Sequence, residues 1–92
     1  MYNHLDARHL LLVCYHELGE WDALSSLLDS FASYQKRQKN IGYQRDNYEN
    51  LIRFTRRLLE MVPGDAAGRT RLYSDIATAE RVAGKEWLLG IL

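Results

Sequence analysis

Tyr15-His16-Glu17-Leu18-Gly19-Glu20-Trp21-Asp22-Ala23-Leu24 is the stretch that decides the fold. It predicts one helix ending, a tight turn at Gly19, and a second helix starting at once, which is the joint of a helical hairpin. Leu11, Leu12, Tyr15 and Leu18 form an apolar stripe before the turn, and Trp21, Leu24, Leu28 and Phe31 form another after it. Two such stripes need a neighbour to bury them, which points to stacked helical units rather than to an enzyme.

Working outward, the first helix is expected over about His4 to Leu18, with Asn3 and Asp6 in a capping arrangement. Asp22 sits in the first turn of the second helix, where a carboxylate meets the positive end of the helix dipole. That helix is expected to run to about Lys39, with Lys36, Arg37 and Lys39 at its cation-favouring end and Asn40-Ile41-Gly42 stopping it. A third helix follows over about Tyr43 to Val62, with Tyr48, Leu51, Ile52, Thr55, Leu58, Leu59 and Val62 at helical spacing.

Pro63-Gly64-Asp65 ends the third helix, and Asp65 can cap a fourth whose inward face includes Leu72, Tyr73, Ile76 and Ala79. Gly84 then bends or breaks the last segment, which carries Trp87, Leu88 and Ile91 and is expected to pack on the fourth helix. The expected architecture is therefore all-α: two antiparallel helical hairpins, about four to five helices, in one domain. The first hairpin spans residues 1–41, and residues 42–92 form the second with a C-terminal capping helix.

Composition agrees with this class. With 92 residues, 47% of them apolar, the chain is long enough for one small core, and a single proline leaves long helices uninterrupted. Cys14 is the only cysteine, which excludes an internal disulfide, and its place in Leu11-Leu12-Val13-Cys14-Tyr15 predicts a packed thiol. His4, Asp6, Arg8 and His9 interrupt the apolar residues near the start, and no apolar run approaches membrane-spanning length. A cytoplasmic location without membrane contact is the expectation.

The net charge is zero but unevenly spread. Residues 1–33 carry Arg8 against Asp6, Glu17, Glu20, Asp22 and Asp29, a net of −4. Residues 34–57 carry seven Lys and Arg against Asp46 and Glu49, a net of +5. This allows either attraction between neighbouring hairpins or a basic surface for an acidic ligand.

The stretch from Arg8 to Phe31 resembles a tetratricopeptide repeat through Leu11, Leu12, Tyr15, Leu18-Gly19, Trp21 and Phe31. It departs from the pattern at Arg8 (Trp in the family), Leu24 (a small Ala) and Lys36 (the terminal Pro). A shift of 40 positions superposes Leu11, Leu12, Tyr15 and Leu18 on Leu51, Ile52, Thr55 and Leu58, a period found in helical solenoids, although Leu59 then falls where the turn glycine would stand. Residues 47–59 and Lys85-Glu86-Trp87-Leu88-Leu89 look like the C-terminal end of tetratricopeptide-like arrays in large uncharacterised bacterial proteins. The resemblance implies the end of a right-handed solenoid that binds protein and performs no chemistry.

In that family the polar side of the first helix of each hairpin lines a concave groove. By resemblance, the candidate groove is Asp6, His9, Val13, His16 and Glu17 from the first helix with Glu49, Arg53, Arg56 and Arg57 from the third. Arginines there suit an acidic segment or a terminal carboxylate. The plainer account is a solvated face in which Glu49 pairs with Arg53 and Glu60 with Arg56 or Arg57. Leu18, Gly19 and Trp21 are read as turn structure.

No catalytic, metal or cofactor set is predicted. His9 and His16 are seven residues apart, about 10 Å along a helix, too far to share one ion. Asp22 and Asp29 have the same separation, the serines lack a nearby histidine, and Pro63-Gly64-Asp65-Ala66-Ala67-Gly68 lacks the Lys-Ser/Thr of a phosphate loop. The expected role is a protein-interaction or assembly scaffold that binds an acidic peptide or self-associates. The alternatives are a nucleic-acid-binding domain using the basic stretch 34–57 with Tyr34, Tyr43 and Tyr48, disfavoured by the neutral whole chain, and a homodimerising helical bundle.

Overall fold

A computed structural model describes residues 4–37 and 44–92, with side chains from Ala7 and from Arg45 onward within those spans. The described residues form five helices and no strand: α1 (His4–Leu18), α2 (Trp21–Arg37), α3 (Gln44–Glu60), α4 (Ala66–Thr78) and α5 (Lys85–Ile91). They divide into two compact units, Met1–Gln38 and Lys39–Leu92. The expected cap at Asn3 and the stop at Asn40-Ile41-Gly42 lie outside the described residues, as does the junction between the units.

The first unit is the hairpin of α1 and α2. Gly19 adopts φ 71°, the left-handed conformation that costs a side-chain-bearing residue energy. Its N–H donates to the His16 carbonyl at 3.1 Å while the Glu20 N–H reaches the Tyr15 carbonyl at 2.9 Å. These two bonds satisfy carbonyls that the end of α1 would leave open, in the pattern of a Schellman motif. The Glu20 carbonyl then accepts the Leu24 N–H at 2.9 Å, so the next helix begins with no intervening loop.

A Cβ on Gly19 would approach the Trp21 ring no closer than 3.8 Å, so substitution there is opposed by backbone conformation and not by space. Gly19→Ala is expected to cost about 1–2 kcal/mol and to lower the melting temperature by about 4–16 °C. Gly19→Asn, which tolerates the left-handed region better, should lose less than half as much. Thermal unfolding followed by circular dichroism measures both.

Leu24, Leu28, Phe31 and Gln35 recur at helical spacing on α2 and are buried, and on α1 Leu12 is buried. The Arg8 guanidinium lies 3.9 Å from the centre of the Tyr34 ring, joining the start of α1 to the end of α2. Such stacking holds the far ends of the hairpin together, opposite the turn.

Three apolar residues expected in this core are at the surface: Leu11, Leu18 and Trp21 are 43%, 73% and 52% exposed. Cys14, expected to be packed, is exposed as well. The reason is geometric. Leu10-Leu11-Leu12-Val13 turns through about 100° per residue, so its side chains point all round the helix, and α2 can cover only one side.

The second unit contains α3, α4 and α5. Tyr48, Leu51, Ile52 and Thr55 of α3, Leu72 and Ile76 of α4, and Leu88 of α5 are buried. The buried Thr55 hydroxyl donates to the Leu51 carbonyl at 2.7 Å, which satisfies it inside its own helix. Phe54, off the predicted stripe, is also buried, with the Arg53 guanidinium 4.6 Å from its ring centre. Tyr73, expected to face inward beside Leu72, is 45% exposed.

Asp65 caps α4 as expected, accepting the Gly68 N–H at 3.0 Å. The last segment is broken, not bent. After Thr78 the chain leaves helical conformation, and Gly84, at φ 69°, starts α5. The connection is tied to α3: Ala83 N–H donates to the Asn47 carbonyl at 3.0 Å, Asn50 Nδ2 to the Arg81 carbonyl at 2.7 Å, and Arg81 reaches Asp46 at 3.4 Å. Lys85 Nζ donates to the Ala79 carbonyl at 2.7 Å, placing a cation at the negative end of α4.

Candidate protein-interaction surface

Two surfaces are candidates for a contact surface, one in each unit. On α3 the polar side holds Glu49, Arg53, Arg56 and Arg57, away from the buried Leu51 and Thr55. Arg57 forms an ion pair with Asp75 of α4 at 2.8 Å, so its charge ties two helices together. Arg53 donates to Asn50 Oδ1 at 3.1 Å and lies against Phe54. The within-helix pairing expected for these arginines gives way at Arg57 to a bond across helices, because Asp75 presents a carboxylate from the facing element.

On α1, His9, Val13 and His16 are half-buried and Glu17 is exposed; the side chain of Asp6 lies outside the described residues. The His16 ring meets Trp21 edge-on, 5.4 Å between centres. The structure thus groups His9, Val13, His16 and Glu17 within the first unit and Glu49, Arg53, Arg56 and Arg57 within the second. Leu18 keeps its place at the turn, but its side chain faces solvent.

The other side of α1 is apolar and open. Ala7, Leu11, Cys14 and Leu18 lie on one stripe of the helix and are all exposed, with Leu10 beside them at 56%. Three leucines exposed to this degree present on the order of 300 Å² of apolar surface, about the size of the largest apolar patch on an ordinary soluble monomer. Of these residues, Leu11, Leu18 and Cys14 are expected in the core from the sequence. A signal was present nonetheless: apolar residues run right round α1, whereas α2 has one stripe, and a helix apolar on every side needs more than one neighbour.

Among the described residues, no three His, Cys, Asp or Glu side chains converge as metal ligands would, and no helix is long and apolar enough to cross a membrane. The described residues are all-helical, in two compact units, with exposed apolar side chains on the outer face of α1. Compared with protein-family models, curated proteins and solved structures, the chain returns no match.

Proposed function

We propose that this chain is a non-enzymatic protein-interaction module of tetratricopeptide-like helical hairpins, working in the cytoplasm, and that its contact surface is the outer face of α1. The observation that carries the reading is the exposure of Leu10, Leu11 and Leu18 at 56%, 43% and 73% on a helix whose opposite side already packs in the hairpin. Apolar side chains in water gain by being covered, at about 25 cal/mol per Å². The tight α1–α2 turn, closed by Gly19, supports the repeat-like character of the hairpin. An acidic peptide held by the α3 arginines has less support, since Arg57 is already neutralised by Asp75.

Leu18→Arg and Arg53→Glu separate the two surfaces. Both positions are exposed, so both variants should keep wild-type helicity. With each variant immobilised, proteins retained by the wild-type chain should be lost by Leu18→Arg and kept by Arg53→Glu. The opposite pattern would transfer the function to α3.

A further inference from the structure

The exposed stripe of α1 is complementary to itself. Ala7, Leu11, Cys14 and Leu18 succeed one another at spacings of four, three and four, which is the seam along which two helices coil together. Placed against the same seam running the other way, about a point midway between Leu12 and Val13, Leu11 falls opposite Cys14 of the partner subunit and Leu18 opposite Ala7 of the partner subunit. Each large side chain then meets a small one, so every layer holds a similar volume and the axes can approach evenly. A parallel match would set Leu on Leu and Ala on Ala, alternating crowded layers with empty ones.

We propose that α1 docks on α1 of a second copy, antiparallel, to form a two-fold symmetric dimer in which the Ala7-Leu11-Cys14-Leu18 stripe of each chain covers that of the other. An isologous contact of this kind needs one surface patch that complements itself, and this stripe is such a patch. The proposal rests on the reading of the outer α1 face as the contact surface, and it names the occupant.

The area sets the strength. The two leucines of the stripe, Leu11 and Leu18 at 43% and 73% exposed, offer on the order of 200 Å² per copy, well below the roughly 800 Å² per partner of a standard stable interface, so the dimer is expected to be weak and concentration-dependent. Cys14 lies within the proposed contact and becomes a reporter of it.

Sedimentation velocity on the full chain, from micromolar to millimolar concentration, should show the mass rising from one chain towards two. Maleimide labelling of Cys14 should slow over the same range. Leu11→Glu should weaken association at least tenfold, with unchanged helicity showing that the fold survives. Ala7→Leu is the sharper variant: in the antiparallel match it crowds Leu18 of the partner subunit and weakens association several-fold, whereas general stickiness would be strengthened by it.

A chain that stays monomeric throughout, a dimer indifferent to Leu11→Glu, or a dimer tightened by Ala7→Leu would each overturn the proposal. Monomeric behaviour combined with loss of a different bound protein in Leu18→Arg would remove the second copy as occupant and leave the α1 face as an interaction surface. If Leu18→Arg also changed nothing, that reading would fall too.

Discussion

Phe31→Ala is expected to lower the melting temperature by about 12–40 °C, the largest effect of a single side chain in the first unit. Phe31 is 0% exposed and sits in the buried stripe of α2 between Leu28 and Gln35. Removing a fully buried phenyl ring loses its transfer energy and leaves a cavity that two helices can only partly close, about 3–5 kcal/mol in all. A chain of 92 residues has a total stability of roughly 5–14 kcal/mol, so this change consumes a large share of it. Each kilocalorie shifts the midpoint of a domain this size by about 4–8 °C. Ser33, two residues along on the same helix, is exposed, and Ser33→Ala should move the midpoint by no more than a degree or two. A Phe31→Ala melt indistinguishable from that control would show that the α2 stripe does not hold the hairpin.

Ile76→Ala should have the corresponding effect in the second unit, about 2–4 kcal/mol. Ile76 is 0% exposed, and its neighbour Tyr73, three residues earlier on α4, is 45% exposed. Tyr73→Ala should therefore cost less than about 1 kcal/mol, as surface substitutions do. Sequence periodicity places both residues on the inward face and so predicts two large losses; the structure predicts one. Chemical denaturation of the two variants decides between them, since a Tyr73→Ala loss matching that of Ile76→Ala would return Tyr73 to the core.

Local features were the ones most fully visible in the residue order. The span of α1, the stop at Pro63-Gly64-Asp65, the Asp65 cap and the turn at Gly19 all depend on groups within a few residues of one another, so their chemistry can be read without knowing what else is nearby. The α3 stripe was legible for the same reason from Tyr48 to Thr55, whose hydroxyl is satisfied four residues back, but Val62, expected on it, lies beyond the helix end at Glu60 and is 66% exposed. Asn47 and Asn50 were not legible. Their contribution is to hold the Arg81–Ala83 connection, more than thirty residues away, and nothing in the spacing of α3 marks them for it.

The candidate surface shows the same division. That α1 carries apolar residues on every side follows from Leu10-Leu11-Leu12-Val13, and so does its need for more than one neighbour. Which side α2 takes was decided only by packing, because covering a helix is a relation between elements: Leu12 is buried, while Leu11, Cys14 and Leu18 stay in water. Charge behaves likewise. Arg57 could have paired within its helix, and it pairs with Asp75 because α4 brings that carboxylate to 2.8 Å. By itself the sequence determined the helices and the turns between them, since these arise from backbone hydrogen bonding and local conformational preference. The tertiary structure decided which apolar face is covered and which charges are neutralised, since burial and pairing exist only once distant segments meet.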